Sequence, residues 1–246
     1  MSVLAVLLVA VGVTDLLRSA LPVRPRRPVV AAAAGVVLVV ATSALAGTLG
    51  TAAGRWLAVA AALGLLAWVL TTERTLRTGR AYLVPLAVLL VSGLVPLLWA
   101  GAAPEVGGPF ARWLAWAELP WAGDPARALL VAGLVLVQLS TGNLVVRLVL
   151  TSTGAMRPGH DRGQEELRGG RLLGPLERLF VLGLGLAGEV TAAGLVIAAK
   201  GLIRWPELRS HADDQGRHDI DKVTEYFLVG SFVSWLVALG ALALAS

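Results

Sequence analysis

The sequence contains no cysteine among its 246 residues. That excludes a disulfide framework, a thiolate nucleophile and a cysteine-based metal centre. Charge is scarce as well: Asp, Glu, Lys and Arg make up 15% of the chain, against about a quarter in soluble domains. Of 21 basic residues only Lys200 and Lys222 are lysines. The chain draws heavily on Ala, Val, Leu, Gly and Arg, as do products of GC-rich bacterial genomes. It has no P-loop, no H-E-x-x-H and no serine nucleophile elbow. The loop 211–221 holds His211, His218 and several aspartates. It follows neither a zinc nor an EF-hand spacing and reads as solvated. No cofactor and no metal are expected.

What the chain has is apolar length. Hydrophobic residues make up 57%, and they come in long unbroken runs rather than periodic stripes, the signature of membrane spans. The expected fold is all-α, a polytopic transmembrane helix bundle of about seven spans, with six as the alternative. The spans fall near 2–17, 29–50, 56–71, 82–100, 126–151, 176–200 and 223–245. Residues 101–125, with Arg112, Trp113, Trp116, Glu118 and Trp121, suggest a short helix and loops at the membrane interface, where an amphipathic indole is at home. The chain divides on this reading into a four-span half, 1–125, and a three-span half, 126–246.

A formal net charge of +5 would suggest nucleic acid in a soluble protein, but here the arginines cluster between apolar runs and set orientation instead. Loops 18–28, 73–80 and 152–175 are rich in arginine, and loops 51–55 and 101–127 are poor in it. That alternation predicts a multi-pass protein of the bacterial plasma membrane with its N-terminus outside. Segment one has no charged residue ahead of it and four arginines after it, the reverse of a secretory signal. Loop 200–222 holds five basic residues, yet seven simple crossings would put it outside, in conflict with the rule.

The chemistry-bearing residues concentrate in the C-terminal half. Arg178, Glu189 and Lys200 are spaced 11 and 11, about three helical turns each, so an unbroken helix aligns them on one stripe. Glu189 would then lie mid-span, where a carboxylate is expensive and needs a partner or water, while Arg178 and Lys200 would snorkel from the two ends. Gln138 is the expected partner by depth, with Asn143 next and Arg147 further along the same segment. A plain interhelical hydrogen bond and a proton-, ion- or substrate-linked carboxylate are both open readings. Lys200, Arg204 and Glu207 flank one loop with Lys222, Glu225 and Tyr226. Such a cluster suits an anionic headgroup or phosphate, or simply a salt-bridged helix junction.

The stretch GLGLAG, Gly183 to Gly188, spells G-x-G-x-x-G, with Glu207 about 20 residues on where a dinucleotide fold has its ribose ligand. No βαβ pattern surrounds it, so no dinucleotide is expected. Gly185, Gly188, Ala192 and Ala193 read instead as small residues that let a neighbour, segment five, approach Glu189 closely.

The run Gly170-Arg-Leu-Leu-Gly-Pro-Leu-Glu-Arg-Leu, the run Ala198-Ala-Lys-Gly-Leu-Ile-Arg-Trp-Pro-Glu-Leu and the run Thr224-Glu-Tyr-Phe-Leu-Val-Gly-Ser-Phe-Val-Ser resemble a bacterial polytopic membrane family of unknown function. That family carries G-x-x-I-G-x-L-E-R, A-A-K-S-x-x-R-F and E-Y-x-x-I-G-T-L-x-S motifs. The stretch Gln138-Leu-Ser-Thr-Gly-Asn-Leu-Val-Val-Arg is similar to the helix that precedes them. The likeness spans about 128–246. The H-L-x-x-D-F opening of longer members is not present, and Thr14-Asp15-Leu16 would be its trace. The resemblance implies kinship without an activity and marks Glu177, Arg178, Lys200, Arg204, Glu225 and Tyr226. Relatives have a glutamine at the place of Glu189.

Three functions are compatible with this. One is a transporter, channel-like protein or lipid translocator with a polar intramembrane site on segments five to seven. A second is a membrane enzyme acting on a lipid or polyprenyl phosphate, with Lys200 and Arg204 holding phosphate. The third is a non-catalytic scaffold or subunit. Expected partners are membrane lipids, with a homo-oligomer or another membrane protein compatible, and no nucleic acid.

Overall fold

The computed structural model describes residues 1–22, 26–119, 121–155, 170–199, 202 and 217–246, with side chains from 172 and from 226 onward in the helices that open at 170 and 217. It is all-helical, and no strand forms among the described residues. The helices are α1 (Ser2–Ala20), α2 (Arg27–Leu45), α3 (Ala52–Thr78), α4 (Leu83–Leu98), α5 (Gly108–Trp116), α6 (Pro125–Leu139), α7 (Thr141–Ser152), α8 (Gly170–Leu186), α9 (Val190–Ala199) and α10 (Arg217–Ala245).

The helices α1, α2, α3 and the Tyr226–Ala245 part of α10 are long and apolar enough to cross a membrane. The pair α6 and α7, bent by 48°, makes a fifth span if counted as one. The outer surfaces agree with that: Val37 is 65% exposed, Leu63 61% and Leu90 64%. Large apolar residues presented outward on successive helices suit a hydrocarbon solvent. The chain is therefore a membrane protein. Segment four is shorter than its neighbours, 16 residues with Pro96 inside it, about 24 Å at helical rise.

Two predicted single spans are broken. Segment five bends at Ser140, between α6 and α7. Segment six stops at Leu186 and restarts at Val190. The second break is written in GLGLAG. Gly188 has φ +84°, the left-handed backbone that glycine adopts without a Cβ clash. The Gly188 N–H donates to the Gly185 carbonyl and the Glu189 N–H to the Leu184 carbonyl, the paired bonds of a Schellman helix stop. The Glu189 carbonyl then accepts from Ala193 N–H at 3.1 Å, opening α9.

By packing, the chain divides into two compact units, Met1–Thr141 and Gly142–Ser246. The division falls at the bend of segment five rather than ahead of it, because α6 packs against α1. Glycine permits that approach: a Cβ on Gly12 would lie 2.7 Å from Leu136 Cβ, and one on Gly133 2.9 Å from Leu8 Cβ. Within the first unit α1 is the central helix, buried along nearly its whole length and packed on α2, α3 and α6. The short helix α5 does form, with only Leu114 buried.

The second unit is held by α8 against α10, with Val181, Ala193 and Ala238 at its core and Leu184 and Ile197 beside them. Buried small residues Ser231, Ser234, Ala238, Ala241 and Ala245 run along α10 at alternating spacings of three and four. That makes a narrow seam suited to close helix packing in lipid. Gly185 serves this contact: its Cβ would overlap the Leu242 side chain. The small residues of segment six thus admit α10.

Gly133→Val should drive α6 away from α1. Overpacking of this kind costs about 1–3 kcal/mol, read as a lower melting temperature of the detergent-solubilised protein. Gly93→Ala, where nothing lies within 4 Å of a new Cβ, should leave melting unchanged or slightly higher.

Candidate functional site

A buried polar cluster lies in the first unit. Asp15 is in the last third of α1 and is 3% exposed. Its Oδ2 accepts from the Trp68 indole Nε1 at 3.0 Å and from Thr141 Oγ1 at 2.8 Å. Its Oδ1 accepts from Arg18 Nη1 at 3.1 Å. Donors from α1, α3 and the first residue of α7 thus converge on one carboxylate. An isolated carboxylate among apolar helices would cost several kcal/mol, and these three donors offset that cost.

The charges continue outward. Arg18, itself 5% exposed, places Nη2 at 3.2 Å from Glu73 Oε2, and Glu73 Oε1 accepts from Arg77 Nε at 3.0 Å. Side-chain exposure rises along this run from 2% at Asp15 through 6% at Arg18 and 22% at Glu73 to 57% at Arg77. Four alternating charges therefore lead from the interior of the unit to its surface. Register explains the contacts: Asp15 and Arg18 lie one turn apart on α1, and Trp68, Glu73 and Arg77 lie on successive turns of α3. Further polar atoms sit on the same helices. The Thr14 and Thr72 hydroxyls and Arg18 Nε are buried and have no hydrogen-bond partner among the described residues.

The second unit holds a different buried cation. Arg178 is 2% exposed. It donates from Nη2 to Asn143 Oδ1 at 2.7 Å and from Nη1 to Ser234 Oγ at 3.1 Å. The guanidinium lies against Gly142, where a Cβ would be 2.7 Å from Nε and 2.9 Å from Cζ. Arg178 is thus a packed, hydrogen-bonded interior group and does not snorkel from a helix end as predicted. Its planar fork reaches α7 and α10 together, which an ammonium could not do as well.

The predicted continuous helix through Glu189 is corrected. Glu189 is exposed and occupies the break between α8 and α9, so Arg178, Glu189 and Lys200 do not share the stripe of one continuous helix. Gln138, its expected partner, is fully buried within the first unit, and Asn143 accepts from Arg178. Glu177, Arg147 and Tyr226 are half-buried. Lys200, Arg204 and the loop 203–216 lie outside the described residues. The backbone of Glu225 belongs to α10, and its side chain lies outside them too. The phosphate-holding cluster and the His/Asp loop rest on those positions.

Sequence reasoning passed over Asp15 as a functional residue. Its signal was present: an acidic residue in an otherwise uncharged apolar run, with an arginine at i+3 on the same helix face. Comparison with protein-family models, curated proteins and solved structures finds no match to this chain.

Asp15→Asn should break the buried Asp15–Arg18 pair and leave Arg18 with Glu73 as its remaining acidic partner. Breaking such a pair costs about 3–5 kcal/mol, and the double variant Asp15→Asn/Arg18→Gln should lose less than the sum of the two single losses in a melting-based cycle. Arg77→Gln, at the exposed end, should cost under about 1 kcal/mol. In the second unit Arg178→Lys should destabilise by about 1–3 kcal/mol through the lost fork, and Glu189→Gln should be neutral within about 0.5 kcal/mol.

Proposed function

We propose that this chain is a transporter of the bacterial plasma membrane, with its N-terminus outside, and that the run Asp15, Arg18, Glu73 and Arg77 is its coupling element for protons. The observation that carries this reading is the graded alternation of charge from a 2%-exposed carboxylate to a 57%-exposed guanidinium. Ionisable groups inside membrane segments are rare, and they commonly mark ion or proton pathways. Stability alone does not account for them, since a well-packed apolar cluster of the same volume is often as stable as a buried ion pair. The Thr141 hydroxyl, bonded to Asp15 Oδ2, adds a group that can exchange a proton with the carboxylate.

The orientation is supported by the two ends of the first unit. Arg18, Arg26, Arg27, Arg74, Arg77 and Arg80 gather where α1 and α3 end and where α2 and α4 begin, as expected of a cytoplasmic face. Trp56, Trp99, Trp113, Trp116 and Trp121 gather at the opposite ends and are all exposed. Contacts join that end: Ser2 Oγ donates to the Pro104 carbonyl at 2.7 Å and Gly107 N–H to the Ala46 carbonyl at 2.8 Å. Kinship with the uncharacterised polytopic family belongs to the same proposal, on the strength of the three C-terminal motifs.

The test is proton flux in liposomes loaded with a pH-sensitive dye under an imposed membrane potential. The protein should raise flux over empty liposomes, and Asp15→Asn, confirmed as folded by gel filtration, should reduce it at least about tenfold, since each 1.4 kcal/mol on the barrier is a decade in rate. Flux that is absent in the parent protein, or unchanged in Asp15→Asn, would contradict the reading.

A further inference from the structure

A groove of about 610 Å³ opens where α3 ends and α4 begins, half enclosed and lined among others by Thr71, Arg74, Thr75, Arg80 and Val84. Its shape comes from two left-handed residues. Gly79 caps α3 with φ +66°, and Ala81 follows with φ +59°, so the chain turns tightly enough to bring Arg80 to the same groove as Arg74. The Gly79 N–H returns to the Thr75 carbonyl at 2.9 Å, fixing that turn.

The arginines at this end are not equivalent. Arg77 is held by Glu73. Among the described residues Arg74 and Arg80 make no ion pair or side-chain hydrogen bond, and none of the groove's described lining residues is acidic. Two unneutralised guanidinium groups thus face one concavity whose remaining wall is mostly hydroxyl and aliphatic. The groove sits at the arginine-rich end of the membrane-crossing helices α1, α2 and α3. At that depth an anionic leaflet presents phosphates to basic side chains and acyl chains to apolar ones. Guanidinium groups take phosphate oxygens in pairs of short, charge-assisted hydrogen bonds. The first turn of α4, which contributes Val84, adds the positive end of a 16-residue helix to the same rim.

We infer that this groove binds the phosphate-bearing headgroup of an anionic membrane lipid, held by Arg74 and Arg80 with its chain along the Val84 side. The site does not depend on the transport reading, because its loss leaves Asp15 and its donors untouched.

The test is native mass spectrometry of the full-length protein released from micelles doped with phosphatidylglycerol or phosphatidylcholine, alongside melting curves with each lipid or with inorganic phosphate. Phosphatidylglycerol should give retained adducts and raise the melting temperature, while phosphatidylcholine and inorganic phosphate should not. Arg74→Gln/Arg80→Gln should cut the adduct population at least severalfold without broadening the gel-filtration peak. Arg74→Lys/Arg80→Lys should keep part of it, and Arg112→Gln, at the tryptophan-rich end, should keep all of it. Undiminished adducts in the double glutamine variant, or equal retention of the two lipids, would overturn the assignment. A response to inorganic phosphate equal to that of the lipid would overturn the lipid as occupant.

Discussion

A carboxylate buried among apolar helices fixes its surroundings, because every donor it uses must be held at hydrogen-bond distance by its own helix or a neighbouring one. Asp15 does this in the first unit. Arg18 comes from its own helix, Trp68 from α3 and Thr141 from the start of α7. Satisfying one charge therefore sets the register of α3 against α1 and determines where the chain emerging from α6 must begin its next helix. The glycines at positions 12 and 133 bring α6 close enough to α1 for that to happen. Packing and electrostatics here make the same demand: a tight helix pair shortens the reach to the carboxylate, and the carboxylate penalises any slippage of that pair.

The second unit meets a comparable demand with the opposite sign. Its interior charge is a guanidinium, so the groups around it are acceptors, Asn143 Oδ1 and Ser234 Oγ. The small residues along α10 and the bare backbone at Gly142 give the guanidinium its space. In each unit a charged group is tolerated because helices of small residues approach closely and present polar atoms at the contact. In lipid there is no water to take their place.

The class of protein was legible in the sequence. Unbroken apolar runs, the absence of strand periodicity and the placement of arginines between runs led to an all-helical membrane bundle and to most of its helices. Breaks within runs were harder to read. Hydropathy does not register a bend at Ser140 or a stop at Gly188, since the residues on either side are equally apolar, and only the hydrogen-bond pattern distinguishes a helix stop from a thin helix. The stop at Gly188 places Glu189 at an exposed junction between α8 and α9. The partner of a buried charge is likewise invisible in one dimension. Asp15 and Trp68, or Arg178 and Ser234, are more than 50 positions apart, and only the fold joins them. Arg178 looked like an end-of-helix residue because its depth was judged along a continuous span that does not exist.

The buried Asp15 network is tested most directly by a cryo-EM structure of the protein in lipid nanodiscs, at a resolution that places side chains on α1 and α3. The Asp15 carboxylate should lie within hydrogen-bond distance of the Trp68 indole nitrogen and the Thr141 hydroxyl, with Arg18 bridging Asp15 and Glu73. A Trp68 indole turned toward lipid, or an Arg18 side chain extended to the surface away from Asp15, would contradict that arrangement.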